Sequence, residues 1–216
     1  MNSYFGNIAR TTESLEQLKT DLSAAATYTD QAIKFNKLKH IAEASVTLKE
    51  WDIAYKAIAG IADQDARNAL IAELIEEFLL PSNEISRAKE LVKYLTPQPE
   101  TTPILLIRIA LAERNTEQAL QFVDQLPTPQ SRNFAFWHIV EAYRLDNEKE
   151  KAIEVGDRML ENARTIYNNE QRSFALRDVA KNLFLAHGDK ERARKAAHLI
   201  PDEALRINLL TVIESA

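Results

Sequence analysis

The chain has no cysteine, only four glycines in 216 residues, and no long apolar run. Without thiols there can be no disulfide, thiolate zinc site, iron–sulfur cluster or cysteine nucleophile. The four glycines stand apart, so the sequence holds no Gly-x-Gly-x-x-Gly, no phosphate-cradling Gly-x-x-x-x-Gly-Lys and no Gly-flanked nucleophile elbow; His-Glu-x-x-His is absent too. Runs such as Ile104 to Ile107 fall far short of the roughly 20 residues that span a bilayer. Glu13 and Glu16 lie where a signal peptide needs apolar residues, so a cytoplasmic protein is expected. A net charge of −5 disfavours general binding to nucleic-acid backbones. Neither a membrane nor a nucleic acid is expected as partner, and no cofactor or metal.

Ala, Leu, Glu, Lys, Arg and Gln dominate the segments between breakers, and these side chains lose little rotamer freedom in a helix. Apolar residues recur at three and four. Leu70, Leu74 and Phe78 form one stripe with Ala69, Ile71 and Ile75 beside it. Thr102-Pro103, Thr128-Pro129, Asn147 and Pro201-Asp202 mark helix starts, and Gly188 a helix stop. The reading is all-α, with helices over 12–25, 30–49, 51–62, 65–80, 84–95, 103–114, 116–126, 129–145, 148–166, 169–187, 189–199 and 202–214.

These helices repeat as pairs. Ala54, Ala88, Ala119, Ala152 and Ala193 each fall just inside the second helix of a pair, and the wide last step predicts a longer helix near 148–166. At the junctions an aliphatic residue precedes an arginine by six: Ile61 and Arg67, Leu126 and Arg132, Ile166 and Arg172, Ile200 and Arg206. Each arginine opens a similar string, such as Arg67-Asn68-Ala69-Leu70 or Arg172-Ser173-Phe174-Ala175, and is expected to bond between repeats. Lys34 takes this place in the first pair.

The period, the small residue opening each second helix, and endings such as Leu126-Pro127 and Ile200-Pro201 resemble the tetratricopeptide-repeat-like (TPR-like) helical solenoids, as a divergent member. The family's Trp and Gly-Tyr positions in the first helix are mostly absent. The resemblance implies a right-handed α-α solenoid of about five helix pairs plus terminal helices. Residues 1–29 would form a tail and capping helix, and 30–216 the repeats, together one domain. It also implies a non-catalytic module that binds a protein or peptide in a groove lined by first helices. Counting from the recurrent arginine, the groove positions are Lys39 and Glu43, Ala72 and Glu76, Trp137 and Glu141, and Arg177 and Lys181. Of these, Lys39, Glu43, Glu76, Trp137, Glu141, Arg177 and Lys181 are the candidate partner contacts, grading from acidic in the middle to basic at the C-terminal end. Lys39 matches the lysine of a carboxylate clamp known in the family, but Glu43 stands where that clamp needs an amide.

Two alternatives accompany this reading: a small acidic chaperone of a secretion or assembly system, and an enzyme with a site around His138 and Glu141. The strings His40-Ile41-Ala42-Glu43 and His138-Ile139-Val140-Glu141 put imidazole and carboxylate on one helix face, but they occupy the same repeat register and are explained by it. His187 and His198 read as helix C-terminal residues, and Lys190 to Lys195 as a solvated face. Tyr4, Phe5 and Ile8 read as a tail or a packing segment. The last helix has no second helix behind it, and its apolar surface, widened by Ile207 and Val212, is expected to be covered by a second copy, a partner or the N-terminal segment.

Overall fold

The computed structural model describes residues 14–216, so Tyr4, Phe5 and Ile8 lie outside the described residues. Those residues form helices joined by short turns, with no strand among them. The helices are α1 (Leu15–Ala25), α2 (Gln31–Thr47), α3 (Trp51–Ala59), α4 (Gln64–Glu73), α5 (Ile85–Val92), α6 (Thr101–Ala112), α7 (Thr116–Val123), α8 (Pro129–Leu145), α9 (Lys149–Arg164), α10 (Asn169–Asp178), α11 (Lys190–His198) and α12 (Glu203–Ser215). Two of them run on as π-helical turns, α4 through Leu74–Leu79 and α10 through Val179–Leu185. None is long and apolar enough to cross a membrane.

The period written in the alanines is carried by one backbone turn. Lys49, Asn83, Arg114, Asn147 and Gly188 adopt left-handed φ of 62°, 58°, 58°, 58° and 79°. Each ends the first helix of a pair, and each stands five residues before one of the recurrent alanines. The next amide then reaches back to the helix carbonyls: Glu50 N to Ser45 O, Glu84 N to Leu79 O, Asn115 N to Ala110 O and Glu148 N to Tyr143 O at 2.8 Å, and Asp189 N to Phe184 O at 2.9 Å. That bond satisfies a carbonyl the helix end would otherwise orphan. Asn147 therefore terminates α8, where the sequence suggested a start for α9; its amide side chain tolerates the left-handed region. The five alanines are fully buried, which is what lets the second helix approach the first closely.

The recurrent arginines have one structural task. Arg67 donates to Ile61 O (3.4 Å), Arg132 to Leu126 O (2.8 Å), Arg172 to Ile166 O (3.2 Å) and Arg206 to Ile200 O (3.0 Å). Each ties the first turn of a first helix to the end of the preceding second helix. The carboxylates nearby are helix caps: Asp63 accepts from Ala66 N and Asp202 from Leu205 N. After Arg67, Arg132 and Arg172 comes a buried polar residue that closes the pair. Asn68 exchanges two bonds with the Thr96 backbone (2.9 and 3.0 Å), Asn133 accepts from Asn162 (2.5 Å), and Ser173 accepts from Asp202 N (3.2 Å).

The helices group into two compact units, Met1–Pro97 and Gln98–Ala216. The first has its own core, with Leu18, Ile41, Ile58, Leu70, Leu74 and Leu91 fully buried or nearly so. The second buries Phe136, Ile139, Met159, Leu176, Phe184 and Ile213 together. There α9 runs to 16 residues where α7 has 8, which accounts for the long step between Ala152 and Ala193. Gly156 on α9 lets the π turn come close: a Cβ there would lie 2.3 Å from Leu183 Cδ2 and 3.0 Å from Phe184 Cε1. On α12, Leu209 and Ile213 are buried while Ile207 is 56% exposed. Ile207 holds the slot that Asn68, Asn133 and Ser173 fill with a bond to the far end of their own pair.

Candidate binding face

In the first unit, the α2 groove position Lys39 meets Glu73 of α4, the neighbour in sequence of the groove position Ala72. Lys39 bonds Glu73 at 2.6 Å and Glu43 at 3.4 Å, so the lysine expected to contact a partner is held between two carboxylates. These raise its pKa, the Glu73 hydrogen bond contributing most. Glu76 is half-buried on the same helix.

In the second unit, the exposed faces of α8 and α10 carry register-matched stripes. Phe134, Trp137, His138, Glu141 and Leu145 run along α8 at helical spacing, and Phe174, Arg177, Asp178, Lys181 and Leu185 occupy the same places on α10. Gln130 bonds Gln171 at 2.9 Å, which holds the two helix starts side by side. Trp137 is half-buried against the core and is thus in part a packing residue. The aromatics that stand out are Phe134, 51% exposed, and Phe174, 44% exposed. The sequence reading passed over both, although each lies one turn before a predicted groove position.

Charges on these stripes are largely paired. Both Glu141 oxygens accept from Arg144 (2.6 and 2.7 Å), which holds its pKa below the usual carboxylate value. Arg177 Nε and Nη2 both donate to Asp178 Oδ1 (3.0 and 2.7 Å) while the guanidinium lies 5.0 Å from the Phe174 ring centre. Lys181 is exposed one turn further on. The His138 ring meets Phe134 edge-on at 4.6 Å, and its Nε2 is buried without a hydrogen-bond partner. Burial and then the charge of Arg108 push its pKa down. A cleft of about 390 Å³ opens beside Phe174, walled by Ser173, Pro201 and Leu205, with Glu170 and Asp202 at its helix-start end.

Polar groups on the second helices bond one another at one-repeat separation. Tyr55 donates to Glu90 (2.5 Å), Arg158 to Asp124 (3.0 Å) and Arg192 to Asp157 (3.0 Å). Around Tyr55 an aromatic cluster has formed that the sequence did not single out: Tyr94 stacks on Tyr55 at 5.4 Å and Arg87 covers Trp51 at 5.0 Å. A second cleft, about 570 Å³, lies around the Arg158–Asp124 pair. The basic run on α11 is likewise engaged, Arg192 also bonding Asp189, Arg194 bonding Glu214 and Lys195 bonding Glu191. His187 Nδ1 sits 2.7 Å from Leu183 O, at the helix end where the sequence placed it. Among the described residues no group of three or more His, Asp or Glu is placed to hold a metal ion.

No protein-family profile, curated protein or solved structure matches the chain.

Proposed function

We propose that the chain is a non-catalytic TPR-like solenoid module that binds a protein segment on the exposed face of its first helices. The repeated left-handed turn, the arginine tie and the buried alanine support the repeat reading, because they recur at the same register in successive pairs. One observation carries the binding reading: Phe134 and Phe174 stand exposed at the same register position on α8 and α10, although the core beneath them closes without them. Burying a large aromatic ring releases more free energy than most surface contacts, so a repeated pair of exposed rings is a poor choice for a face that only meets water.

Site-directed photocrosslinking in the native cell tests this. A benzoylphenylalanine at position 134 or 174 is expected to give discrete protein adducts that the same group at Lys56 or Glu154, on second helices, does not give. Equal adduct patterns from all four positions, or none from 134 and 174, would contradict the reading.

A further inference from the structure

The cleft between α10 and α12 joins an apolar wall to two carboxylates. Phe174, Pro201 and Leu205 supply the apolar surface, and the volume of about 390 Å³ lies at the low end of the roughly 300–1,000 Å³ that ligand pockets occupy. The charged side chains that line it, Glu170 and Asp202, are both anionic. Asp202 spends Oδ1 on the Leu205 amide as the α12 cap (2.7 Å), which leaves Oδ2 outside that bond. Glu170 is exposed and makes no ion pair among the described residues. The arginines nearest in sequence are already engaged: Arg172 with Ile166 O and Asn169, Arg206 with Ile200 O, and Arg177 with Asp178. None of the three lines the cleft. Glu170 and Phe174 stand one turn apart on the same face of α10, roughly 6 Å along its axis. That spacing suits a long cationic side chain, whose methylene stem covers the ring while its head reaches the carboxylate.

We propose that this cleft takes a basic protein segment, with an arginine whose stem lies on Phe174 and Leu205 and whose guanidinium meets Glu170 and Asp202. The proposal rests on the first-helix face being the binding face. A planar guanidinium presents donors along more than one edge and so serves two carboxylates at once, which a compact ammonium does less well. The chain's net charge of −5 has the sign of the cleft and draws a cationic segment toward it. A segment with Asp or Glu in the arginine's place would set a third carboxylate against two and be rejected.

A display library of random 12-residue peptides, selected on the full chain, tests it. Enriched peptides should share an arginine, and their binding should weaken as salt rises. Asp202→Asn keeps a capping oxygen, so Glu170→Gln combined with Asp202→Asn removes both charges while the α12 cap stays in place. This pair, checked for unchanged helicity, should weaken a selected peptide by about tenfold and flatten its salt dependence, and Phe174→Ala should weaken it by about tenfold as well. Peptides that need Phe174 but show no arginine preference would overturn the basic class and leave the binding face standing. Arginine peptides indifferent to Phe174 and to both carboxylates would overturn the cleft as their site. No enrichment at all would overturn both the cleft and the face, and a concentration-dependent dimer abolished by the same variants would replace the separate partner with a second copy.

Discussion

Tyr55 shows what packing does to a single side chain on the second helices. Burial, then the hydrogen bond to Glu90, raise its pKa to about 12 against an ordinary value near 10. Because the folded-state value is raised, the neutral phenol is the form that folding favours. Its contribution is fully present below about pH 10 and is lost as pH rises toward 12. A phenolate absorbance titration should show one of the six tyrosines ionising near 12, and Tyr55→Phe should remove that step; a wild type whose tyrosines all titrate near 10 would contradict the contact. Gly156 is the complementary case, a residue chosen for absence of bulk. Leu183 and Phe184 are both fully buried and have nowhere to retreat, so Gly156→Ala should destabilise by about 1–3 kcal/mol in urea unfolding despite alanine's better helix propensity. Neither residue could be singled out from the sequence. A lone glycine in a helical pattern looks the same whether it is merely tolerated or required.

Twelve helices were legible in the sequence because a 3.6-residue stripe and a cap are local properties, and so was the extra length of α9. The turns were less so. Lys49, Asn83, Arg114, Asn147 and Gly188 share one backbone conformation but belong to four residue types, so only their period reveals them. The π turns had a signal that needs the same alignment. Sixteen positions separate Arg67 from Asn83 and Arg172 from Gly188, whereas fifteen separate Arg132 from Asn147 and Lys34 from Lys49. The extra residue is absorbed as π turns in α4 and α10, marked by the Leu80 N to Ile75 O and Ala186 N to Lys181 O bonds at 2.9 and 3.2 Å. The arginine tie was visible as a spacing, but its acceptor was not, because a backbone carbonyl leaves no mark on sequence. Arg132→Met keeps the aliphatic stem and removes the donors to Leu126 O and Pro127 O. It should cost about 1–2 kcal/mol in denaturant unfolding. A loss too small to detect would mean that the tie is incidental to the repeat.

For the molecule as a whole, each unit closes a core of its own, and what distinguishes them is the surface left over. On the first unit, the pairing of Lys39 with Glu43 and Glu73 ties up the predicted cation in carboxylates. On the second, two aromatic rings and the cations of α10 remain outward. The sequence reading named Trp137, Glu141, Arg177 and Lys181, which lie on these two stripes, and among their aromatics only Trp137. Half of that side chain belongs to packing, and the stripe it lies on begins one turn earlier with Phe134. The measurement that tests the account most directly is an amide and side-chain NMR titration of the chain with a peptide it binds. Shifts should concentrate on Phe134, His138, Phe174, Arg177 and Lys181, with the Trp137 indole following. Shifts confined to second-helix residues such as Asp157, Arg158 and Arg192 would contradict the account.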